Sequence, residues 1–242
     1  MPGPILIRTP AEPVVEDSVS DQIDEALEEQ RKIRDRIILN RTIQTGQIHS
    51  IAGGDAAYMD DRAIGAVTVM SIPEGDLLCS SWSFSANIFP YIPGLFAFRE
   101  GNAILTAIRG LSCDFQMIIF HGHGYAHPRR SGLASHLGVL LDKPSIGIAD
   151  HLIVGEAEIP GEERGALSPV RDGKEVIGMA VRTRAHSRPV YVSVGHRTDL
   201  EQAVEVVLAT TGTHRLPDPV WMADRLARRH RIEIERRGKP VY

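Results

Sequence analysis

The 242-residue chain has little of what marks several common protein classes. It has only two cysteines, Cys79 and Cys113, which is too few for a disulfide scaffold and fits a reducing cytoplasm. The N-terminal segment has no basic region followed by an apolar stretch, so no secretory signal is expected. No apolar run reaches the ~18 residues that cross a bilayer. The composition, 43% hydrophobic and 24% charged, predicts a soluble, cytoplasmic globular protein.

The charges are distributed unevenly along the chain, although the net charge is only −4. Residues 1–30 contain eight acids and a single arginine, whereas residues 225–242 contain seven bases and two acids. A basic tail of this kind can contact nucleic-acid phosphates, but it is more often a solvated helix end. The sequence leaves both interpretations open.

Three segments are predicted from these patterns. Residues 1–17 are acidic and proline-rich and are expected to form an extended or disordered arm. Residues 18–232 are expected to form one domain, which begins with a helix over about 19–39 after the capping-box spacing at Ser18. Residues 233–242 are expected to form a basic tail.

The periodicity of the domain predicts an α/β fold. Three strands with short polar connections indicate an antiparallel meander: Ser50–Tyr58, Ala63–Ser71 and Leu77–Ser85. Two apolar runs separated by a helix indicate buried parallel strands, at Phe115–Phe120 and Ser145–Ala149. A later hairpin is predicted at Glu175–Thr183 and Pro189–Val194, and helices at Phe98–Leu111, Ser131–Leu141, Thr198–Gly212 and Pro219–His230. We therefore expect a mixed sheet with helices on both faces.

Polar residues at the ends of apolar strands are the first candidates for a site, because ligands bind beyond the carboxyl ends of such strands. Asp55 interrupts the first strand, and His121 and Asp150 end the two buried ones. Glu100 lies near the start of a helix, where an acid is also favourable without any function. A histidine-only zinc site at His121–His127 is disfavoured, because no Asp-His pair follows the His-x-His.

The segment Pro90-Tyr91-Ile92-Pro93-Gly94 is the other unusual feature. Two prolines stiffen a short loop that carries an aromatic side chain. The ordinary interpretation is a rigid turn. The functional interpretation is a wedge that enters a nucleic-acid stack and fills the gap left by an extruded base.

Taken together, four segments resemble the endonuclease V family in order and spacing, over about residues 20–230. They are Ile51–Asp55, Pro90–Gly94 with Phe98-Arg99-Glu100, Gly122–Gly124 with Ala126–Arg130, and Arg215–Pro219. The resemblance implies a ribonuclease H-like fold and cleavage of the second phosphodiester bond on the 3′ side of inosine, in DNA or RNA. It also implies Mg²⁺ or Mn²⁺ held by carboxylates.

The resemblance assigns roles by position. The catalytic positions are Asp55, Glu100, His121, Asp150 and Asp224, of which Asp55, Glu100 and His121 are expected to bind the metal. Tyr91 matches the wedge aromatic, within the loop that also contains Pro90, Ile92 and Pro93. Gly94, Phe96, Gly122 and Ile153 would line a pocket for flipped hypoxanthine, with His127 and Arg129 nearby. Gly122 and Gly124 are expected to let the backbone approach a ligand closely.

Two of these positions depart from the family pattern, which has Asp in place of His121 and Lys in place of Asp150. A milder departure is Val220-Trp221, where many relatives have Thr-Arg. An imidazole would shift metal preference towards Mn²⁺ or Zn²⁺. Three functions therefore remain open: an inosine-directed endonuclease with a rearranged metal site, a nuclease-dead relative that binds inosine-containing or branched nucleic acid, and a metal-dependent hydrolase with another substrate.

Overall fold

A computed structural model describes residues 16–59, 62–86 and 89–237. Helix α1 (Glu16–Arg34) begins within the arm predicted for residues 1–17, and it stops five residues before the predicted helix end. Residues 1–15 of that arm lie outside the described residues. The last helix, α5 (Asp218–Arg237), continues past the boundary predicted at 232, so residues 233–237 of the predicted basic tail belong to the helix, and residues 238–242 lie outside the described residues.

The described residues form one eight-stranded mixed sheet in the order β3-β2-β1-β4-β5-β8-β7-β6. The strands are β1 (Ser50–Met59), β2 (Arg62–Ser71), β3 (Leu77–Ala86), β4 (Met117–His121), β5 (Ser145–Ala149), β6 (Leu167–Asp172), β7 (Glu175–Val181) and β8 (Val190–His196). The remaining helices are α2 (Phe96–Arg109), α3 (Leu133–Leu141) and α4 (Leu200–Ala209). The meander β1–β2–β3 is antiparallel and β1, β4 and β5 are parallel, which confirms the predicted architecture.

The central strands are buried because helices cover both faces of the sheet. Strand β4 has four fully buried residues and β5 has five, which explains their nearly continuous apolar sequence. One apolar cluster joins β1, β4, β5 and β8 to α4, and a second joins β1, β2 and β4 to α2 and α3. The sheet therefore presents the ends of its three parallel strands from a rigid, doubly covered centre.

Helix α5 packs on the sheet through a contact that has no room for a side chain. A Cβ atom at Gly53 would lie 2.2 Å from the carbonyl carbon of Pro219, in the first turn of α5. Gly53 pairs with Thr68 across β1 and β2, and the Thr68 hydroxyl donates a hydrogen bond to the Pro219 carbonyl (2.7 Å). The start of α5 therefore lies directly against the backbone of β1.

Helix α2 packs on the opposite face of the same strands. A Cβ atom at Gly65 of β2 would lie 2.4 Å from the backbone of Ala103, in the middle of α2. Because Gly65 and Thr68 are an odd number of residues apart, they point to opposite faces of the sheet. Helices α2 and α5 therefore enclose β1 from both sides.

Two local features differ from the sequence analysis. Strand β6 was not predicted, because Pro169 interrupts its pattern; the sheet accommodates this proline because β6 is an edge strand. Helix α4 begins two residues after the predicted Thr198 and is capped by Asp199, since Asp199 Oδ1 accepts a hydrogen bond from the Gln202 amide (2.9 Å). The Thr198 hydroxyl instead donates to the Gln202 side chain (2.8 Å).

The two cysteines form a disulfide, which the sequence did not predict. Cys79 of β3 is bonded to Cys113 in the segment before β4, with their Cα atoms 6.1 Å apart. A single bridge is no disulfide scaffold, but the expectation of two reduced thiols is wrong. Spacing along the chain carries no information about the separation of these residues in space. Within the described ranges, no helix combines the length and apolarity needed to cross a bilayer.

Candidate active site

Three of the predicted residues meet at one edge of the sheet. Asp55 is level with His121, because Gly54 pairs with Phe120 in the parallel strands β1 and β4, and Asp150 directly follows β5. His121 Nδ1 lies 3.0 Å from Asp55 Oδ2, and His121 Nε2 lies 3.4 Å from Asp150 Oδ2. The imidazole therefore bridges the two carboxylates, as adjacent strand ends predicted.

Arg215 extends this row and was missed at the sequence level as a site residue. Its guanidinium donates a hydrogen bond to Asp150 Oδ1, the oxygen that His121 does not contact. The result is a row of alternating acidic and basic groups, in the order Asp55, His121, Asp150, Arg215. The only signal in the sequence was that Arg215 begins the Arg-Leu-Pro-Asp-Pro segment.

Electrostatics explain the protonation of this row. Burial lowers the pKa of His121, but the carboxylates of Asp55 and Asp150 outweigh burial and raise the pKa to about 10. The hydrogen bond from His121, together with the one from Arg215, holds the pKa of Asp150 well below its usual range. At neutral pH the row is therefore an imidazolium and a guanidinium that enclose the Asp150 carboxylate.

Glu100 lies on the other side of Asp55 and is held by a residue that the sequence did not point to. Helix α2 begins at Phe96 and has no acid in its first turn, so Glu100 is not a favourable acid at a helix N-terminus. Its side chain is buried and accepts a hydrogen bond from the Tyr58 hydroxyl of β1. Burial raises the pKa of Glu100 to about 7, and the nearby Asp55 charge adds to this rise while the Tyr58 hydrogen bond opposes it.

Asp55 is the most enclosed of the acids. It is only 6% exposed, and burial raises the pKa of its carboxyl despite the opposing effect of His121. Asp224 of α5 adds to this rise through its negative charge, and its own carboxylate accepts a hydrogen bond from Arg228 Nε (2.6 Å). Asp55 therefore lies close enough to both Glu100 and Asp224 for their negative charges to interact unfavourably with its own.

The chemistry of these donors fits a hard divalent cation, because a cation would relieve the mutual repulsion of buried carboxylates. Their arrangement is not a ready coordination shell: in the described parts of the chain, no three His, Cys, Asp or Glu side chains are grouped to hold a metal. His121, which the resemblance makes a ligand, is hydrogen-bonded to Asp55 and lies beside Asp150. Metal binding would therefore require these contacts to exchange.

The segment Pro90–Gly94, here named the wedge loop, lies immediately before helix α2, which carries Glu100. Tyr91 is 67% exposed between the two prolines, and its ring contacts only the edge of Phe96 (5.4 Å between centroids) among the ring pairs of the described residues. Gly94 has a φ of +82°, which favours glycine. A large aromatic exposed on a rigid loop beside buried acids supports the wedge interpretation more than that of a plain turn.

The end of this loop is fixed by three donors on a single carbonyl. The Gly94 carbonyl accepts hydrogen bonds from Gln30 Nε2 (2.7 Å), Arg129 (2.9 Å) and His127 Nε2 (3.1 Å). Arg129 also donates to Gln30 Oε1 (2.5 Å). His127 and Arg129 thus hold the wedge loop in place. They were predicted to lie near the site, and these bonds to Gly94 are the contacts that the structure shows for them.

The two glycines of the Gly122–Gly124 segment lie close to other parts of the protein. A Cβ atom at Gly124 would lie 2.2 Å from the Val194 carbonyl oxygen, and one at Gly122 would lie 2.9 Å from the Leu133 side chain. Backbone of β8 therefore fills the space beside Gly124, whereas only a flexible side chain approaches Gly122, where close approach of a ligand stays a prediction. Ile153, in contrast, is 39% exposed.

His127 gives a pH-dependent prediction. Burial, with the nearby Arg129 charge, lowers the pKa of His127 to about 3. An unfolded histidine titrates near ~6.5, so below that pH the unfolded chain takes up a proton that the folded chain refuses. Stability should therefore fall as pH decreases from about 6.5 towards 3, and His127 should account for about 2 kcal/mol of the loss at about pH 5.

Urea unfolding of the native protein and of His127→Gln, at pH 7 and pH 5, measures this contribution. The amide of Gln can keep one donor and one acceptor without titrating, so the variant should lose less stability on acidification. An equal loss of stability in both proteins would show that His127 has the same protonation in the folded and the unfolded chain.

The comparisons with known proteins agree with this geometry. The family model described as endonuclease V matches residues 31–225, which is most of the chain and includes all five predicted catalytic positions. The chain belongs to the endonuclease V family. It is 46% identical to the endonuclease V of Roseiflexus sp. over 203 residues, which are 84% of this chain and 90% of that protein.

Solved endonuclease V structures have the same fold. The crystal structure from Streptomyces avermitilis superposes with a TM-score of 0.83 at 39% identity, over 88% of this chain and 94% of that chain. The structure from Ciona intestinalis, in complex with a 24mer DNA containing an inosine followed by a ribo-adenosine, superposes with a TM-score of 0.78 at 27% identity, over 88% and 99% of the two chains. The ribonuclease H-like fold expected from the resemblance is confirmed, and endonuclease V enzymes are metal-dependent nucleases.

Proposed function

We propose that this chain is a metal-dependent endonuclease that cleaves a phosphodiester bond on the 3′ side of inosine in DNA or RNA. The observation that carries the proposal is the juxtaposition of buried acids with the wedge loop. Tyr91 contacts Phe96, the first residue of α2, and Glu100 follows one turn later. An exposed aromatic and a cation-binding group therefore lie at the two ends of one helical turn.

Mg²⁺ or Mn²⁺ would be held by Asp55 and Glu100, with His121 joining them if its ring exchanges its present contacts. The ion would supply activation of water and stabilisation of the charge that develops on the phosphate. The chain's own residues supply the rest: Arg215 places a guanidinium beside Asp150, and Asp224 adds a further carboxylate next to Asp55.

Recognition of the base is proposed for the loops beside this edge. Tyr91 would fill the gap left by the extruded nucleotide, and its anchoring at Gly94 keeps the loop from collapsing into that gap. Gly94, Phe96, Gly122 and Ile153 would line the pocket for hypoxanthine. The backbone amide of Gly122 is already used by the Ile148 carbonyl (2.7 Å), so Gly122 would contribute its carbonyl or its Cα surface.

A nuclease-dead binding protein is the weaker alternative. Relatives up to 46% identical are named endonuclease V, and the buried acids Asp55 and Glu100 are retained here. Burying two carboxylates that repel each other costs stability, so their retention favours a role that uses them. A hydrolase for an unrelated substrate has no observation in its favour beyond the shared scaffold.

A cleavage assay tests the proposal. The native protein is incubated with strands that carry one inosine, or guanine in its place, in DNA and in RNA, with Mg²⁺ and with Mn²⁺. We expect cleavage 3′ of inosine in at least one nucleic acid and little cleavage of the guanine strands. Binding of inosine strands without cleavage under any metal would instead support the nuclease-dead alternative.

In the same assay, Tyr91→Ala should weaken the preference for inosine. Stacking of a base on an aromatic ring contributes about 1–3 kcal/mol, which corresponds to a loss of roughly 5- to 150-fold in cleavage of inosine strands. Tyr91→Phe keeps the ring and serves as the matched control. An equal effect of Tyr91→Ala on inosine and guanine strands would show that the ring is only structural.

A further inference from the structure

A groove runs along the outer side of α5, next to the candidate site but not part of it. Its volume is about 590 Å³, and it lies between α5 and the edge formed by β2 and β3. Its floor is apolar, with Leu77 and Ile232 exposed by 49% and 40%. Arg225, Arg228 and Arg229 line it as well, so the groove combines an apolar floor with positive charge.

An aromatic platform borders the groove, because Trp221 lines the groove and His214 stacks on the Trp221 ring. The rings of Trp221 and His214 are stacked, with centroids 3.7 Å apart and an angle of 14° between their planes. The Arg225 guanidinium lies 5.6 Å from the Trp221 ring. His214 keeps 39% of its side chain exposed, so the platform is open to solvent. Stacked planar groups with an arginine beside them are the means by which proteins hold nucleic-acid bases without reading sequence.

The charge of α5 suits a polyanion. This helix has six arginines and four acids, in a chain whose net charge is −4. Part of that charge is engaged, because Arg228 donates to Asp224 and Arg229 lies 4.0 Å from Glu233. Arg225 is exposed, and its guanidinium lies over the Trp221 ring. A surface of this kind attracts phosphates, which favours the phosphate-binding interpretation of the basic C-terminal sequence.

The groove and the candidate active site adjoin the same helix, α5. Arg228 lines the groove and donates a hydrogen bond to Asp224 (2.6 Å), on the helix whose first turn lies against Gly53, two residues before Asp55. Trp221 lies one turn before Asp224 on the same helix. A strand that crosses the carboxylates can therefore pass along α5 without leaving the protein surface.

We propose that this groove binds the part of the substrate strand that flanks the cleaved inosine, with a base at the platform formed by His214 and Trp221 and phosphates at Arg225 and Arg229. The inference rests on the proposed function and extends it, because it assigns a binding surface outside the base pocket and the catalytic row.

Tryptophan fluorescence tests the stacking directly, without cleavage and without a metal. The chain has two tryptophans, so Trp82→Phe leaves Trp221 as the only one. This variant is titrated with an inosine strand of about 12 nucleotides and with one of about four, which span the range of sites that single strands occupy on proteins. The longer strand should quench Trp221 and the shorter one should not. The reverse variant, Trp221→Phe, reports Trp82, whose ring is covered on one face by His230 of α5 (3.9 Å between centroids), and should be quenched less by the longer strand than Trp221 is.

The salt dependence of Kd tests whether the two arginines bind phosphates. Arg225→Ala combined with Arg229→Ala should raise the Kd for the longer strand, and should lower the slope of log Kd against log salt by about 0.7 for each phosphate that the arginines no longer bind. Trp221→Ala should raise the Kd about 5- to 150-fold with an unchanged slope. Arg109→Ala removes an exposed arginine from the end of α2, on the opposite face of the sheet, and should change neither.

Three results would overturn the proposal. The first is quenching of Trp221 that is absent with the longer strand or equal with both. The second is an equal rise in Kd for the longer and the shorter strand when Arg225 and Arg229 are both replaced by alanine. The third is a stable dimer in solution that Trp221→Ala dissociates, because the groove would then be covered by a second copy. Failure of the proposed function is distinguishable: the native protein would cleave no inosine strand while Trp221 is still quenched by the longer one.

Discussion

Asp55→Asn is expected to lower metal-dependent cleavage of inosine strands by about a thousandfold or more. The substitution keeps the shape of the side chain but removes the charge nearest to the other two acids. A metal that stabilises a transition state by several kcal/mol, lost with its principal ligand, corresponds to a factor of this size. Single-turnover cleavage in Mg²⁺ and in Mn²⁺ measures the effect.

The same variant should remain folded, and its thermal stability should not decrease. Burial raises the pKa of Asp55, which means that the fold disfavours this carboxylate as an anion, so a neutral amide removes an unfavourable charge. Asp76→Asn, at an exposed turn between β2 and β3, is the matched control and should cleave like the native protein. Normal cleavage by Asp55→Asn would contradict the proposed metal site.

The second large effect is expected from exchanging both departures at once. In the family pattern the acid stands at position 121 and the base at position 150, whereas this chain has a protonated His121 beside an ionised Asp150. The pair is therefore inverted, with its net charge unchanged. The combined substitution His121→Asp with Asp150→Lys restores the family order, and should raise Mg²⁺-dependent cleavage by up to about a thousandfold.

This magnitude follows from placing a carboxylate where a phosphate must bind. Two unit charges ~4 Å apart repel by about 4 kcal/mol at an effective dielectric of about 20, which corresponds to about a thousandfold in rate. Arg215 offsets part of this repulsion in the native protein because it bonds to Asp150, so the full factor is an upper limit.

Each single substitution should give slower cleavage and lower stability than both the native protein and the double variant. His121→Asp alone places a third carboxylate between Asp55 and Asp150, and Asp150→Lys alone places a cation between His121 and Arg215. Urea unfolding and cleavage of all four proteins give the coupling between the two positions. Efficient cleavage by the native protein, with a slower double variant, would show that the inverted pair is itself a working site.

The parts of the site that the sequence predicted are those that depend on neighbouring strands. Asp55, His121 and Asp150 each interrupt or end an apolar strand, and the order of strands and helices placed those ends side by side. The burial of β4 and β5 followed from their continuous apolar runs for the same reason. The hydrophobic periodicity and the order of the strands are therefore enough to predict site residues that lie at strand ends.

The parts that the sequence did not predict depend on contacts between distant residues of ordinary type. Arg215 reaches Asp150 across 65 positions, and Tyr58 reaches Glu100 across 42, with no local pattern to single out either one. Gly124 resembles a ligand-binding glycine in the sequence, but only the position of β8 shows that protein fills the space beside it. The Cys79–Cys113 bond was missed for the same reason.

The contact between Gly53 and Pro219 has a consequence for how this enzyme can change over evolution. Asp55 follows Gly53 by two residues and Asp224 follows Pro219 by five, so the separation of these acids is set by two backbones that touch. Mutations on the outer side of α5 leave that separation intact. Substitutions on the surface proposed to meet the flanking strand, such as those at Trp221 and Arg225, are therefore expected to leave the distance between the two acids unchanged.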